Sequence, residues 1–132
     1  MSQENVETVR AGFDAFAQGD LEGILRNFAP EIVLSRVEPL PDPVEHHGRA
    51  GFMKFLADWT AGFSEFEMTA EQYVEVGDRV VVQVQQRATG ASSGAPVEAH
   101  FWFVHTLSEG KVTRVTIFAT ESQAVAAAGG EG

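Results

Sequence analysis

The chain has 132 residues, with 19 acidic side chains against 9 basic ones, a formal net charge of −10, and no cysteine. The length suits one domain with its own core, and 44% hydrophobic with 21% charged residues is a globular composition. The charge argues against nucleic acid and anionic membrane, which reward basic stripes. The missing cysteines exclude disulfides, thiol nucleophiles and thiolate-held metals. The opening MSQENVETVR is polar and no long apolar run follows, so neither a secretory leader nor a membrane span is expected, and the cytoplasm is the default location.

Val6, Val9, Phe13 and Phe16 recur at helical spacing, with Glu4, Glu7, Arg10 and Asp14 between them. This predicts a first helix, closed by Gly19. Asp20 caps a short second helix with the stripe Leu21, Ile24, Leu25 and Phe28, and Ala29-Pro30 stops it. Residues 31–38 read as a strand, and the proline-rich stretch 39–48 as a loop. Phe52, Phe55, Leu56 and Trp59 form the buried face of a third helix that Gly62 ends. Four strands follow, at 65–76, 79–89, 97–107 and 111–120, with turns at Gly77-Asp78 and Glu109-Gly110 and a Gly/Ser/Pro connection at 90–96. The alanine-rich end, 122–132, is expected to be a frayed helical tail. Helices first and an antiparallel meander afterwards make an α+β domain over 1–132, with the helices on one face of a curved sheet.

The strand at 97–107 carries bulky residues on both faces, with His100, Trp102 and Val104 on one and Phe101, Phe103 and Leu107 on the other. Such a strand must be covered on both sides. The helices and a pocket cover one side. The other is expected at a homodimer interface, with the C-terminal tail as the alternative cover.

The order of these segments carries a resemblance. AFAQGDLEGILRNFAPEIVL resembles the helix–helix–strand opening of SnoaL-like proteins. VEPLPDPVEHHGRAGFMKFLADW resembles their loop and third helix, and GDRVVVQVQQRATG with HTLSEGKVTRVTIFATESQAVAAAG their hairpin strands and tail. The resemblance covers nearly the whole chain. It implies the nuclear-transport-factor-like superfamily and its cystatin-like cone, a cone-shaped barrel of curved, mostly antiparallel sheet with three helices on its concave face. Polyketide cyclases and ketosteroid isomerase belong to the same group, so the fold implies a small-molecule pocket without fixing its chemistry. Ketosteroid isomerase uses a carboxylate base with a tyrosine and a protonated aspartate. Alignment puts Arg36 at the base position, Gly12 at the tyrosine and Trp102 at the aspartate. An arginine is not a base at neutral pH, so the chain is not expected to be a ketosteroid isomerase. The carboxylate often found near the end of the last strand is missing as well, where the chain reads Ala119-Thr120-Glu121.

Candidate site residues follow from both readings. The alignment turns Arg36 into the cavity, to clamp a carboxylate or stabilise developing negative charge, unless it only pairs with Glu31 or Glu38. Histidines are the natural acid–base groups near neutrality. His100 or His46 is the candidate proton shuttle, whereas His46 and His47 together also fit a solvated turn, and His105 fits a satisfied histidine at an interface. Gln83, Gln85 and Arg87 line the pocket if the alignment sets the strand's face, and face water if plain amphipathicity does. Phe16, Phe55, Trp59, Tyr73 and Trp102 are aromatic lining candidates. Gly12, on a buried helical stripe where glycine costs about 1 kcal/mol, either leaves room for a ligand or allows close helix–sheet packing. No HxxxH or HxH pattern occurs, so no metal and no cofactor are expected. The expected function is cofactor-free cyclisation, isomerisation or hydration of a hydrophobic, polyketide- or terpenoid-like metabolite. The alternative is a non-catalytic ligand-binding domain.

Overall fold

The computed structural model describes residues 2–36 and 44–129. The chain runs α1 (Ser2–Ala17), α2 (Leu21–Arg26), β1 (Phe28–Arg36), β2 (Val44–His47), α3 (Gly48–Thr60), β3 (Phe63–Val76), β4 (Arg79–Gly90), β5 (Pro96–Ser108), β6 (Lys111–Phe118) and α4 (Glu121–Ala127). The strands form one sheet in the order β2-β1-β6-β5-β4-β3. All neighbours are antiparallel except β1 and β6, which run parallel.

Alternation assigns the faces of this sheet. Val80, Val82 and Val84 of β4 have no exposed surface and join Leu34, Phe103, Leu107 and Ile117 in one cluster with Val9, Ile24, Phe52 and Phe55 of the first three helices. That is the inner, helix-covered face. The outer face carries a smaller cluster of Val81 and Val104 with Ala124 and Ala128, and Trp102 and Phe118 pack against it.

Three expectations change. Phe28, read as the end of the second helix, opens β1 instead, because the Asn27 N–H closes α2 on Ile24 and Leu25 and the Asn27 carbonyl accepts from Val112 N–H at 2.8 Å. Its ring packs edge-on against Phe52, centroids 5.1 Å apart. Residues 44–47, read as loop, pair with β1 at the sheet edge; the rest of that loop, and the end of the strand expected to reach residue 38, lie outside the described residues. The described part of the segment expected to fray, residues 122–129, packs as a helical end, with the Thr120 side chain capping the Gln123 N–H and with Ala124 and Ala128 buried. The second apolar face of β5 is therefore covered, in part, from within the chain.

Candidate functional site

Between the inner face and the helices lies a cavity of about 90 Å³. Helix α1 contributes Val9, Gly12, Phe13 and Phe16, and α3 contributes Phe52, Phe55, Leu56 and Trp59. The sheet contributes Leu34, Phe103, His105, Val115 and Ile117. The periodic stripes of both helices thus meet the inward row of the sheet, and most of the wall is hydrocarbon. The space is smaller than the roughly 300–1,000 Å³ of drug-sized sites, and it is also below the roughly 150 Å³ of a cavity that accepts benzene.

Gly12 borders this space. A Cβ built there meets no atom within 4 Å, so close helix–sheet approach is not what excludes a side chain; the position leaves volume open.

His105 is the titratable residue of the wall. Its ring lies edge-on to Phe13 at 5.8 Å and near-parallel to Phe103 at 6.2 Å. Burial lowers its pKa from 6.5 to about 4, only partly opposed by a backbone hydrogen bond to Val80, so the imidazole is neutral at pH 7. Nδ1 is buried and has no hydrogen-bond partner.

A polar relay closes the aromatic side of the site. Trp59 Nε1 donates to Gln86 Oε1 at 2.7 Å, and Gln86 is almost wholly buried. The Arg36 guanidinium lies 5.1 Å from the Trp59 ring and 5.9 Å from that of Phe55, a cation–π arrangement behind the two cavity-lining rings. His46, partly buried, stacks edge-on against Phe55 at 5.8 Å. His47 is exposed, 3.5 Å from Glu45. Tyr73 meets Phe13 edge-on at 6.5 Å under the Arg10 guanidinium, and its hydroxyl pKa is raised, chiefly by burial.

Of the candidates from sequence, Gly12, Phe16, Phe55 and Trp59 line the cavity, while Arg36, His46 and Tyr73 stand directly behind its lining. Gln83, Gln85, Arg87, His100 and Trp102 do not reach it. The fully buried valines of β4 take the inner face, so the residues between them point outward, and their β5 neighbours Trp102 and His100 share that side. Arg87 there sits 3.7 Å from Glu98, and His100 Nε2 sits 3.3 Å from Glu71 Oε1. Trp102 packs toward α4. Two residues were missed. Gln86 lies in phase with the valines, and His105 with Phe101 and Phe103, so the alternation itself held the signal. Among the described residues no group of three or more acidic or histidine side chains is placed to hold a metal ion.

These features define a cone-like α+β domain with a small, mostly apolar cavity between sheet and helices. The SnoaL-like domain model matches residues 9–115, and the chain belongs to that family. Among solved structures, TerC co-crystallised with polyporic acid is 26% identical, with a TM-score of 0.79 over 91% of this chain and 94% of that one. A Jannaschia sp. CCS1 protein assigned by name to the SnoaL-like polyketide cyclases is 25% identical, with a TM-score of 0.77 over 96% and 92%. An NTF2-like protein from Burkholderia xenovorans LB400 is 26% identical, with a TM-score of 0.73 over 97% of both chains. Among curated proteins no match was found.

Proposed function

We propose that the protein binds a small, mostly apolar, oxygenated molecule in the inner cavity without a cofactor. The observation that carries this reading is the wall itself: hydrocarbon and aromatic rings, with only Thr8, Asn27, Trp59 and His105 among the described residues bringing polar side-chain atoms. Neighbours that include TerC with polyporic acid and a polyketide cyclase by name support a ligand of polyketide- or terpenoid-like character, in whole or as a fragment that fits. The test is thermal melting against a panel of such compounds at millimolar concentration. A ligand that prefers the native state raises the Tm by mass action; a panel of small phenols, enols and terpenoid alcohols that leaves the Tm unmoved would refute the reading.

A second reading, proton-transfer catalysis by cyclisation, isomerisation or hydration, draws on His105, a neutral imidazole able to accept a proton within the wall. Its depressed pKa makes it a weak base, and no carboxylate among the described residues lines the cavity. Binding alone is therefore the reading the geometry supports better. Arg36, behind Trp59 and Phe55, would supply the stabilising charge in the catalytic reading. Conversion of a bound compound by wild type, abolished in His105→Leu, would promote catalysis over binding.

A further inference from the structure

We infer that Gly12 is the specificity-determining residue of the inner cavity: the ligand lies against the bare backbone of α1 there, and the side chain at position 12 sets the largest ligand admitted. The inference rests on the ligand-binding reading above and adds which element the ligand touches and what limits its size.

Helix geometry places the residue. Thr8 and Phe16 stand one turn before and one turn after Gly12, so the three stack along one face of α1. Val9 and Phe13 lie beside that row, and all five border the cavity. A side chain at position 12 would therefore project into the bordered sector, between Thr8 and Phe16. A Cβ built there meets no atom within 4 Å. The open space belongs to the cavity, whereas the next position round the helix, Ala11, is exposed and does not border it.

The glycines inside α2 and α3 answer to packing instead. At Gly23 a Cβ would fall 2.9 Å from the Ala15 Cβ and 2.6 Å from Asp20 Oδ2, and at Gly51 it would fall 3.1 Å from the His46 Cβ. Gly12 has neither such a neighbour nor a left-handed backbone, and glycine weakens a helix interior relative to alanine. What it contributes at this place is volume. Leu34, Phe103 and Ile117 of the sheet also border the space and belong to the buried core cluster, so the empty position on α1 is where the room is set. About 90 Å³ takes a ring only with slight outward movement of side chains, since a cavity that accepts benzene measures roughly 150 Å³. A methyl group at position 12 removes part of that room, and an isobutyl group most of it. The Gly12 N–H and carbonyl are occupied within the helix, so contact there selects by shape.

The probes are xenon and benzene, both ligands that dry apolar cavities accept. Their affinities are measured by NMR titration on wild type, Gly12→Ala, Gly12→Leu and, as a control for the helix itself, Ala11→Leu. Benzene affinity is expected to fall in steps from wild type through Gly12→Ala to Gly12→Leu, at least tenfold in all. Xenon is the smaller probe, so the xenon-to-benzene ratio is expected to rise in Gly12→Ala. The ligand-free Tm of Gly12→Ala is expected to rise as well, so that stability and affinity move in opposite directions, as they do when a side chain occupies the ligand's place. Ala11→Leu is expected to bind benzene as wild type does. Equal benzene affinity in wild type and Gly12→Leu overturns the inference and leaves the ligand-binding reading standing, as does an equal loss in Ala11→Leu. Wild type that holds neither xenon nor benzene also overturns it, and if the oxygenated compounds above leave the Tm unmoved too, the ligand-binding reading falls with it. Should Gly12→Leu not fold, Gly12→Ala decides, and an unchanged xenon-to-benzene ratio there overturns the inference.

Discussion

Replacing His105 with leucine should change how stability depends on pH more than it changes stability at neutrality. In the native protein the imidazole titrates near pH 4 rather than 6.5 because burial penalises its charged form. Between those values the unfolded chain holds a proton that the native chain does not, so native stability is full above pH 6.5 and drains away as the pH falls toward 4. The interval of about 2.5 units, at 1.36 kcal/mol each, amounts to about 3 kcal/mol, a large share of the 5–15 kcal/mol typical of a domain. Leucine of similar size also removes the unpartnered Nδ1, a group that costs roughly 1–3 kcal/mol when left unsatisfied. Urea denaturation of both proteins from pH 7.5 to 4 reads the difference directly. The variant should equal or exceed wild type at pH 7.5, and its margin should widen by about 3 kcal/mol on acidification, since the carboxylates common to both proteins cancel. Parallel stability curves would show that the His105 ring is hydrated or paired in solution, and the account of the cavity's inner end would fall with that result.

Gly12→Ala should raise stability by about 0.5–1 kcal/mol, because a Cβ there meets nothing and the helix gains propensity; ligand affinity should drop if the ligand uses that volume, and a loss of Tm without ligand would contradict the open space. Arg36→Ala should leave the Tm within a few degrees but weaken a ligand that reaches the rim by about 1.5–3 kcal/mol, whereas Leu34→Ala, in the buried cluster and the cavity wall, should cost about 2–5 kcal/mol of stability. If Arg36→Ala unfolds the protein as badly as Leu34→Ala, Arg36 is structural. Homodimerisation through the outer sheet face is the remaining proposal: light scattering at about twice the 14.3 kDa chain mass supports it, and the monomer mass at micromolar concentration refutes it.

The helical part of the fold was legible because its signals are local. The stripe Val6, Val9, Phe13 and Phe16, the Asp20 cap accepting from Gly23 N–H at 3.0 Å, and the Phe52–Phe55–Trp59 face all appear where periodicity places them. The edge strand Val44–His47 was not legible: four residues after a proline-rich stretch carry no period, and only pairing with Val33–Arg36 makes them a strand. Packing of the C-terminal helix was legible only as the alternative cover for the outer face of the 97–107 strand, because its contact residues are Ala124 and Ala128, and alanine writes a weak amphipathic pattern.

The site was half legible, and the boundary between the halves has a physical origin. A helix buries one stripe, so naming its apolar residues names the side that faces the cavity, and Gly12, Phe16, Phe55 and Trp59 followed. A strand with bulky residues on both faces carries no such mark. In β5 the sets Phe101–Phe103–His105 and His100–Trp102–Val104 are equally plausible inward rows by composition. A one-residue change of phase exchanges every candidate, and the family alignment that put Trp102 at the aspartate position chose the outer row. The adjacent strand could have arbitrated. Val80, Val82 and Val84 are three β-branched residues in a row of alternation against Gln83, Gln85 and Arg87, and burial of apolar surface favours turning the valines inward by about 0.8 kcal/mol for each CH₂ buried. Cross-strand pairing then puts Phe103 opposite Val82 and His105 opposite Val80, which delivers the imidazole to the cavity. Plain amphipathicity on β4, carried across one ladder, locates the titratable group that family alignment moved to the outer face.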